Sequence, residues 1–379
     1  MINQQSIQTR KVALQVKDLR VSFHTYAGVV KALDGVDLEL MEHEVFGLVG
    51  ESGCGKSVTA LAIAGLLPPN ANIESGHIFL DGRDMLQQSK RRVRLARLHE
   101  IALVFQDPAT YLNPLMSIGN QITEVFTDNL KLFKTELLQF RMDLINKKLA
   151  SGIGEPDRTE LERERRELEE IRGGKKLSKR LGKKLANFLA IEYLKLVRLP
   201  DPDKIMKMYP FELSGGMRQR AMIAMALVRR PKVLLADEIT TALDVTVQAQ
   251  ILELLKELRD KIDSSIILIT HDLGVVAETC DRVAVMYAGN IVEVAPVAEM
   301  FRNPLHPYTK GLFEAIPKLE SSKKELEPIK GSVPNLIFPP SGCRFHPRCP
   351  FAFERCPNVK PPLIETSPGH YVACLLYGG

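Results

Sequence analysis

The chain has 379 residues, 45% hydrophobic and 26% charged, with a formal net charge of +5. That length allows a core of about 200–250 residues plus something smaller, and a charge this small argues against a dedicated nucleic-acid binder. Val58 to Leu67 is the best apolar run and stops at Pro68-Pro69, short of the roughly 18–20 residues a membrane span needs; Met1 to Arg10 is polar, unlike a signal peptide, so the chain is expected in the cytosol, where structural disulfides are disfavoured.

In chain order, Val12 to Val16, Val36 to Leu40 and Val45 to Val49 alternate or run apolar and predict strands. After Gly50 the period becomes helical, with Val58, Leu61, Ala62 and Gly65 on one face. Ile101 to Phe105 predicts a short buried strand. Residues 128–198 then change character, rich in charge and poor in strand formers. Asp157 to Arg172 carries apolar side chains only at Leu161, Leu168 and Ile171, Gly173-Gly174 breaks it, and Leu177, Leu181 and Leu185 follow four apart. This reads as a solvated helical hairpin. Val233 to Ala236 and Ile266 to Ile269 predict two further strands, and Val283 to Tyr287, Ala288-Gly289-Asn290 and Ile291 to Ala295 predict a hairpin. Strands alternating with helices argue for an α/β core with a mostly parallel sheet. From Pro296 onward repeated prolines exclude a long helix, and 300–379 reads as a small, loop-rich appendage.

Gly50-Glu51-Ser52-Gly53-Cys54-Gly55-Lys56-Ser57 fits G-x-x-x-x-G-K-[ST] between a predicted strand and a predicted helix. Glycines let backbone N–H groups curl around phosphate oxygens, and the helix N-terminus adds positive partial charge. Lys56 would reach the β- and γ-phosphates and Ser57 would place its hydroxyl on Mg²⁺; Cys54 reads as a tolerated small residue. The strand ending at Asp237-Glu238 supplies the second half: one carboxylate for the metal, and a neighbour placed to polarise an attacking water. Together these segments predict a nucleoside-triphosphatase without choosing its kind.

Leu213-Ser214-Gly215-Gly216-Met217-Arg218-Gln219-Arg220 makes that choice. It resembles the signature motif of the ABC ATPases, and a Ser-Gly-Gly turn opening a helix is itself an anion-binding end. The resemblance extends over about residues 12–320 apart from the charged insert. It implies a P-loop ABC ATPase of class α/β: a RecA-like core, an antiparallel β subdomain, a helical subdomain and, here, a small Cys-rich C-terminal domain. The implied boundaries are 1–299 for the nucleotide-binding domain, about 107–228 for its helical subdomain, about 128–186 for the insert and 300–379 for the C-terminal domain.

By the same resemblance, ATP is held by Phe23 or Tyr26 against adenine, by 50–57 and Val58 around the phosphates, and by Gln106, Asp237 and His271. Glu238, His271, Lys56 and Gln106 are the implied catalytic set; Ser57, Gln106 and Asp237 are the implied Mg²⁺ set. Ser214, Gly215, Gly216 and Met217 would meet nucleotide held by a partner cassette, and Asp244 in Thr241-Ala242-Leu243-Asp244 resembles the D-loop. Two features depart from the family: Ile239 stands where proline usually follows the glutamate, which could loosen the placement of Glu238, and the charged insert is longer than usual.

Phe105-Gln106-Asp107-Pro108, Asp244-Val245-Thr246-Val247-Gln248-Ala249-Gln250 and Asn303-Pro304-Leu305-His306-Pro307-Tyr308-Thr309 are similar to the oligopeptide/dipeptide importer branch, some relatives of which carry oligosaccharides. That branch implies a second, different ABC ATPase subunit, two membrane permeases, an extracytoplasmic substrate-binding protein, no nucleic acid, and a peripheral position on the cytoplasmic face of the membrane. A soluble ABC ATPase working on nucleic acid or ribosomes is the alternative; it would show a long coiled coil or tandem cassettes. Of six cysteines, Cys280 reads as core, and Cys343, Cys349, Cys356 and Cys374 are spaced C-x5-C-x6-C-x17-C. Four thiolates suit tetrahedral Zn²⁺ or an iron–sulfur cluster, with His346 a less favoured ligand; the branch resemblance points to [4Fe–4S].

Overall fold

A computed structural model describes residues 11–151, 154, 156–239, 245–262, 264–314 and 329–378. In chain order the elements are β1 (Val12–Thr25), β2 (Gly28–Met41), β3 (Val45–Val49), α1 (Lys56–Ala64), β4 (Ala71–Leu80), β5 (Arg83–Asp84), α2 (Lys90–His99) and β6 (Ile101–Val104). There follow α3 (Pro108–Tyr111), α4 (Ile118–Asp128), α5 (Leu130–Ala150), α6 (Asp157–Arg172), α7 (Lys179–Leu196), α8 (Pro202–Ile205) and α9 (Gly215–Leu227). The chain then adds β7 (Val233–Asp237), α10 (Val245–Ile262), β8 (Ser265–Thr270), α11 (Leu273–Thr279), β9 (Arg282–Tyr287), β10 (Asn290–Pro296), α12 (Val297–Arg302), α13 (Pro307–Glu314), β11 (Ile364–Ser367) and β12 (His370–Val372). Two compact units result, one of 1–106 with 230–379, the other of 107–229.

The first unit holds two sheets. One is antiparallel in the order β2-β1-β4-β5; the other runs β11-β12-β10-β9-β3-β8-β7-β6. In the larger sheet β6, β7, β8, β3 and β9 are mutually parallel. Every residue of β3 and β8 is buried, the continuous apolar run that a parallel strand covered on both faces requires. One core cluster, including Leu14, Leu19, Phe46, Leu48, Ile78 and Ile267, ties the two sheets together.

β9 and β10 pair antiparallel through Ala288 (φ 46°) and Gly289 (φ 83°). Two successive left-handed residues are what a tight hairpin turn with the strand twist needs. Gly289 N–H donates to the Cys54 carbonyl at 2.7 Å, so the hairpin tip fixes the loop after β3. The C-terminal residues join the same sheet: β12 pairs with β10 and β11 with β12. Helices α12 and α13 are short, as the prolines dictate, and Cys280 caps α11 partly buried against the core.

The second unit is helical. The charged stretch forms α5, α6 and α7 rather than a simple hairpin, with α5 packed on both α6 and α7. Leu168 and Ile171 are buried; three residues apart, they lie on one face of α6. Arg141 is buried with them, forks onto Glu164 at 2.7 and 3.0 Å, and stacks 3.8 Å from the Phe188 ring centroid. The insert therefore has a buried inner face, through which α5 and α7 also pack on α4. Among the described residues no helix is long and apolar enough to cross a membrane.

Candidate functional site

The loop between β3 and α1 is shaped by backbone contacts that exclude side chains. A Cβ at Gly50 would stand 2.1 Å from the Met286 carbonyl oxygen. Gly55, at φ 112°, caps α1 in a conformation that L residues rarely adopt, and a Cβ there would press on Leu33 and Met286 at 2.8 Å. Lys56 is only 4% exposed; its ammonium donates to the carbonyls of Gly50 (2.7 Å) and Glu51 (3.1 Å). Cys54 is fully buried beneath the loop, and burial raises its thiol, which keeps it neutral.

β7 carries the acid pair to the same end of the sheet. The Ser57 hydroxyl bonds to Asp237, whose Oδ1 is buried with no hydrogen-bond partner among the described residues. Burial raises the Asp237 carboxyl and the Glu238 charge adds to this, while Ser57 and Lys56 oppose it. An orphaned carboxylate oxygen beside a serine hydroxyl is an oxygen donor set suited to a hard divalent cation such as Mg²⁺. Glu238 sits in the left-handed region (φ 45°), a conformation costing of order 1 kcal/mol or more that only surrounding contacts sustain. Its N–H donates to Ile269 O at 2.9 Å, and its Oε2 accepts from Gln106 Nε2 at 2.8 Å. His271 Nδ1 lies 3.6 Å from Oε1, with the imidazole largely exposed. Ile239, the next residue, is buried.

A cleft opens over this cluster. Of the residues singled out from sequence it is lined by Phe23, Ser52, Gly53, Gly55, Lys56, Ser57, Val58, Gln106 and Glu238. Val30, Ala32 and Leu336 line it too, and sequence reading missed them. Leu336 comes from the C-terminal stretch and accepts the Lys31 N–H at 2.8 Å, a long-range contact with no local signature. Tyr26, in the turn after β1, is wholly exposed and does not line the cleft. Phe23, three residues earlier and still in the strand, does.

In the helical unit Ser214 caps α9, its Oγ accepting the Met217 N–H at 3.3 Å. Ser214 and Gly215 are exposed, and nothing lies within 4 Å of where a Gly215 Cβ would be. The helix end is thus open on its own unit. Asp244 and the rest of Thr241-Ala242-Leu243-Asp244 lie outside the described residues.

The four C-terminal cysteines are unbridged. Burial pushes the Cys343 thiol up to about 11, helped by the neighbouring Cys374, Cys349 and Cys356. Among the described residues, however, no group of three or more His, Cys, Asp or Glu is placed to hold a metal ion. His346 Nδ1 is engaged with the Cys343 carbonyl at 2.9 Å.

A phosphate-shaped loop opening a helix, an acid pair at the end of a parallel strand of the same sheet and a Ser-Gly-Gly helix start in a separate helical unit define an ATPase cassette of the ABC class. Residues 33–241 match the ABC transporter family, and 292–356 match the C-terminal region of oligopeptide/dipeptide transporters. The dipeptide transport ATP-binding protein of Bacillus subtilis is 43% identical over 96% of this chain and 94% of its own length. An oligopeptide transport ATP-binding protein of the same organism is 46% identical over 95% and 87%, and that of Salmonella typhimurium 43% over 98% and 95%. The fold is shared with cbiO1 from Clostridium perfringens, part of an ABC transporter complex, at TM-score 0.55 and 24% identity over 77% of this chain and 91% of that one. The chain belongs to the ATP-binding proteins of the oligopeptide/dipeptide type of ABC transporter.

Proposed function

We propose that this chain is the ATP-hydrolysing subunit of an importer for oligopeptides or dipeptides, working peripherally at the cytoplasmic face of the membrane. The relatives, dipeptide and oligopeptide transport ATP-binding proteins, support the substrate class. The observation that carries the enzymatic reading is the Gln106–Glu238 pair beside a buried lysine and an orphaned Asp237 oxygen.

ATP enters with adenine against Phe23 and phosphates on the N–H groups of 52–57. Lys56 exchanges the loop carbonyls for phosphate oxygens. Ser57, Asp237 and Gln106 are the residues that would hold Mg²⁺, which when bound neutralises charge on the β- and γ-phosphates. Glu238 polarises a water for in-line attack, Gln106 orients the Glu238 carboxylate, and His271 stands ready to stabilise charge on the transferring group. Ser214 and Gly216 close over nucleotide held by a second ABC ATPase, a different subunit, and Asp244 keeps the D-loop role that its motif implies. The helical subdomain of about 107–228, supported by the compact unit of 107–229, links this closure to two permeases fed by a substrate-binding protein. Within the 1–299 and 300–379 division, the insert of about 128–186 belongs to that helical part.

We also propose that Cys343, Cys349, Cys356 and Cys374 hold a [4Fe–4S] cluster. Four unbridged cysteines, with Cys343 close enough to the other three to feel their charge, support this reading. Anaerobically purified protein is expected to contain iron and sulfide at about four per chain with broad visible absorbance; zinc, or no metal, would reject the cluster.

The functional reading is tested by ATPase measurements on the complex in proteoliposomes. Turnover is expected to rise when the substrate-binding protein is loaded with peptide. Stimulation by an oligosaccharide and not by peptide would reject the substrate class; nucleic acid or ribosome stimulation without permeases would reject transport.

A further inference from the structure

Glu51 places a carboxylate within a loop whose purpose is to receive a polyanion. Left free at that position, the carboxylate would repel the phosphates. Two residues from the far end of the chain deal with it. Arg348 forks onto Glu51, with Nη1 at 2.7 Å from Oε2 and Nη2 at 3.1 Å from Oε1. The Arg348 side chain is only 6% exposed and that of Glu51 28%, so the pair is largely withdrawn from water. Every nitrogen of the guanidinium is engaged: Nε donates to Lys330 O at 3.0 Å, Nη2 also to Ile329 O and Nη1 also to the Tyr287 hydroxyl, each at 3.4 Å. A planar fork fixed on all sides holds a carboxylate in one orientation.

The Glu51 backbone is held as well. Its N–H donates to the Tyr308 hydroxyl at 2.9 Å. Tyr308 is fully buried and packs with Tyr287 and Phe345, ring centroids 4.7 and 5.4 Å away. The second residue of the phosphate loop is therefore anchored through side chain and main chain to one aromatic platform built from β9, α13 and the segment beside Cys343.

We propose that Arg348 and Tyr308 are positioning residues of the phosphate loop: they turn the Glu51 carboxylate and N–H outward and neutralise the carboxylate, so that the loop presents only donors to a nucleoside triphosphate. The inference rests on the reading of 50–57 as a triphosphate cradle. It also gives the C-terminal segment a direct part in nucleotide binding, alongside Leu336 at the mouth of the cleft.

The test is equilibrium binding of MgATP to the full-length chain, with thermal melting run in parallel. Arg348→Ala frees the Glu51 charge and is expected to raise the Kd for MgATP about tenfold, the size of one like-charge contact largely screened by solvent. Adding Glu51→Gln to Arg348→Ala removes that charge and is expected to recover most of the loss. A purely structural role for Arg348 would not be rescued this way, because the contacts to Lys330, Ile329 and Tyr287 stay absent. Unchanged affinity in Arg348→Ala, or a loss that Glu51→Gln fails to recover, would overturn the proposal. Failure of the unmodified chain to bind MgATP would instead reject the cradle on which the proposal rests.

Discussion

Replacing Glu238 with Gln is expected to cut ATP turnover by about 10²–10⁴-fold, the usual contribution of a positioned general base, while MgATP remains bound. The substitution keeps size and shape. An amide oxygen at this position still accepts from Gln106 Nε2, which now lies 2.8 Å from Oε2, and the backbone bond to Ile269 O is untouched. What is lost is the negative charge that draws a proton from the attacking water. The left-handed backbone at Glu238 is unaffected by the swap, so melting temperature should hardly move. Steady-state phosphate release by both proteins checks this; undiminished hydrolysis in the variant would remove Glu238 from the role of base.

Lys56→Ala is expected to remove most transport and hydrolysis at an ATP concentration that saturates the unmodified protein, by a different route. The ammonium is buried and already bound to two loop carbonyls, so it exchanges partners with little ordering cost when phosphate arrives. Charge-assisted bonds are worth about 1.5–3 kcal/mol each, and losing two of them weakens binding by roughly a hundredfold or more at 1.4 kcal/mol per factor of ten. The alanine also leaves the carbonyls of Gly50 and Glu51 without their donor, which favours collapse of the loop. ATPase and uptake assays over a wide nucleotide range separate this from Glu238→Gln: raising ATP should partly restore a binding defect and should not restore a missing base.

The phosphate loop, the acid pair and the Ser-Gly-Gly helix start were legible because each is local: a few residue types at fixed spacing, read against a strand that ends or a helix that begins. The buried strands β3 and β8 were legible for the same reason, as short unbroken apolar runs. β4 was not, because Asn72, Glu74, Ser75 and Gly76 interrupt it and most of its residues are half-buried or exposed. Its pairing with β1 depends on partners 48 to 66 residues away. The longer extent of β1 was hidden by Asp18, whose left-handed backbone (φ 42°) accompanies a shift in register.

Spacing put Phe23 ahead of Tyr26 but gave no sign of where β1 turns back on β2, which leaves Phe23 in the strand and Tyr26 in the turn. The same limit explains Leu336, Tyr308 and Arg348. Arg348 meets Glu51 across 297 positions of sequence, and proline-rich chain with no periodicity gives no hint that it returns to the first loop. Reading 300–379 as an appendage followed from its composition, whereas β12 is built into the main sheet beside β10.

Equilibrium titration of the purified chain with MgATP, by calorimetry or a fluorescent analogue, tests the central claim most directly. One Mg²⁺-dependent site per chain, displaced by ADP and lost in Lys56→Ala, is the predicted result. Binding that survives Lys56→Ala unchanged, or no binding by the folded wild-type chain, would contradict it.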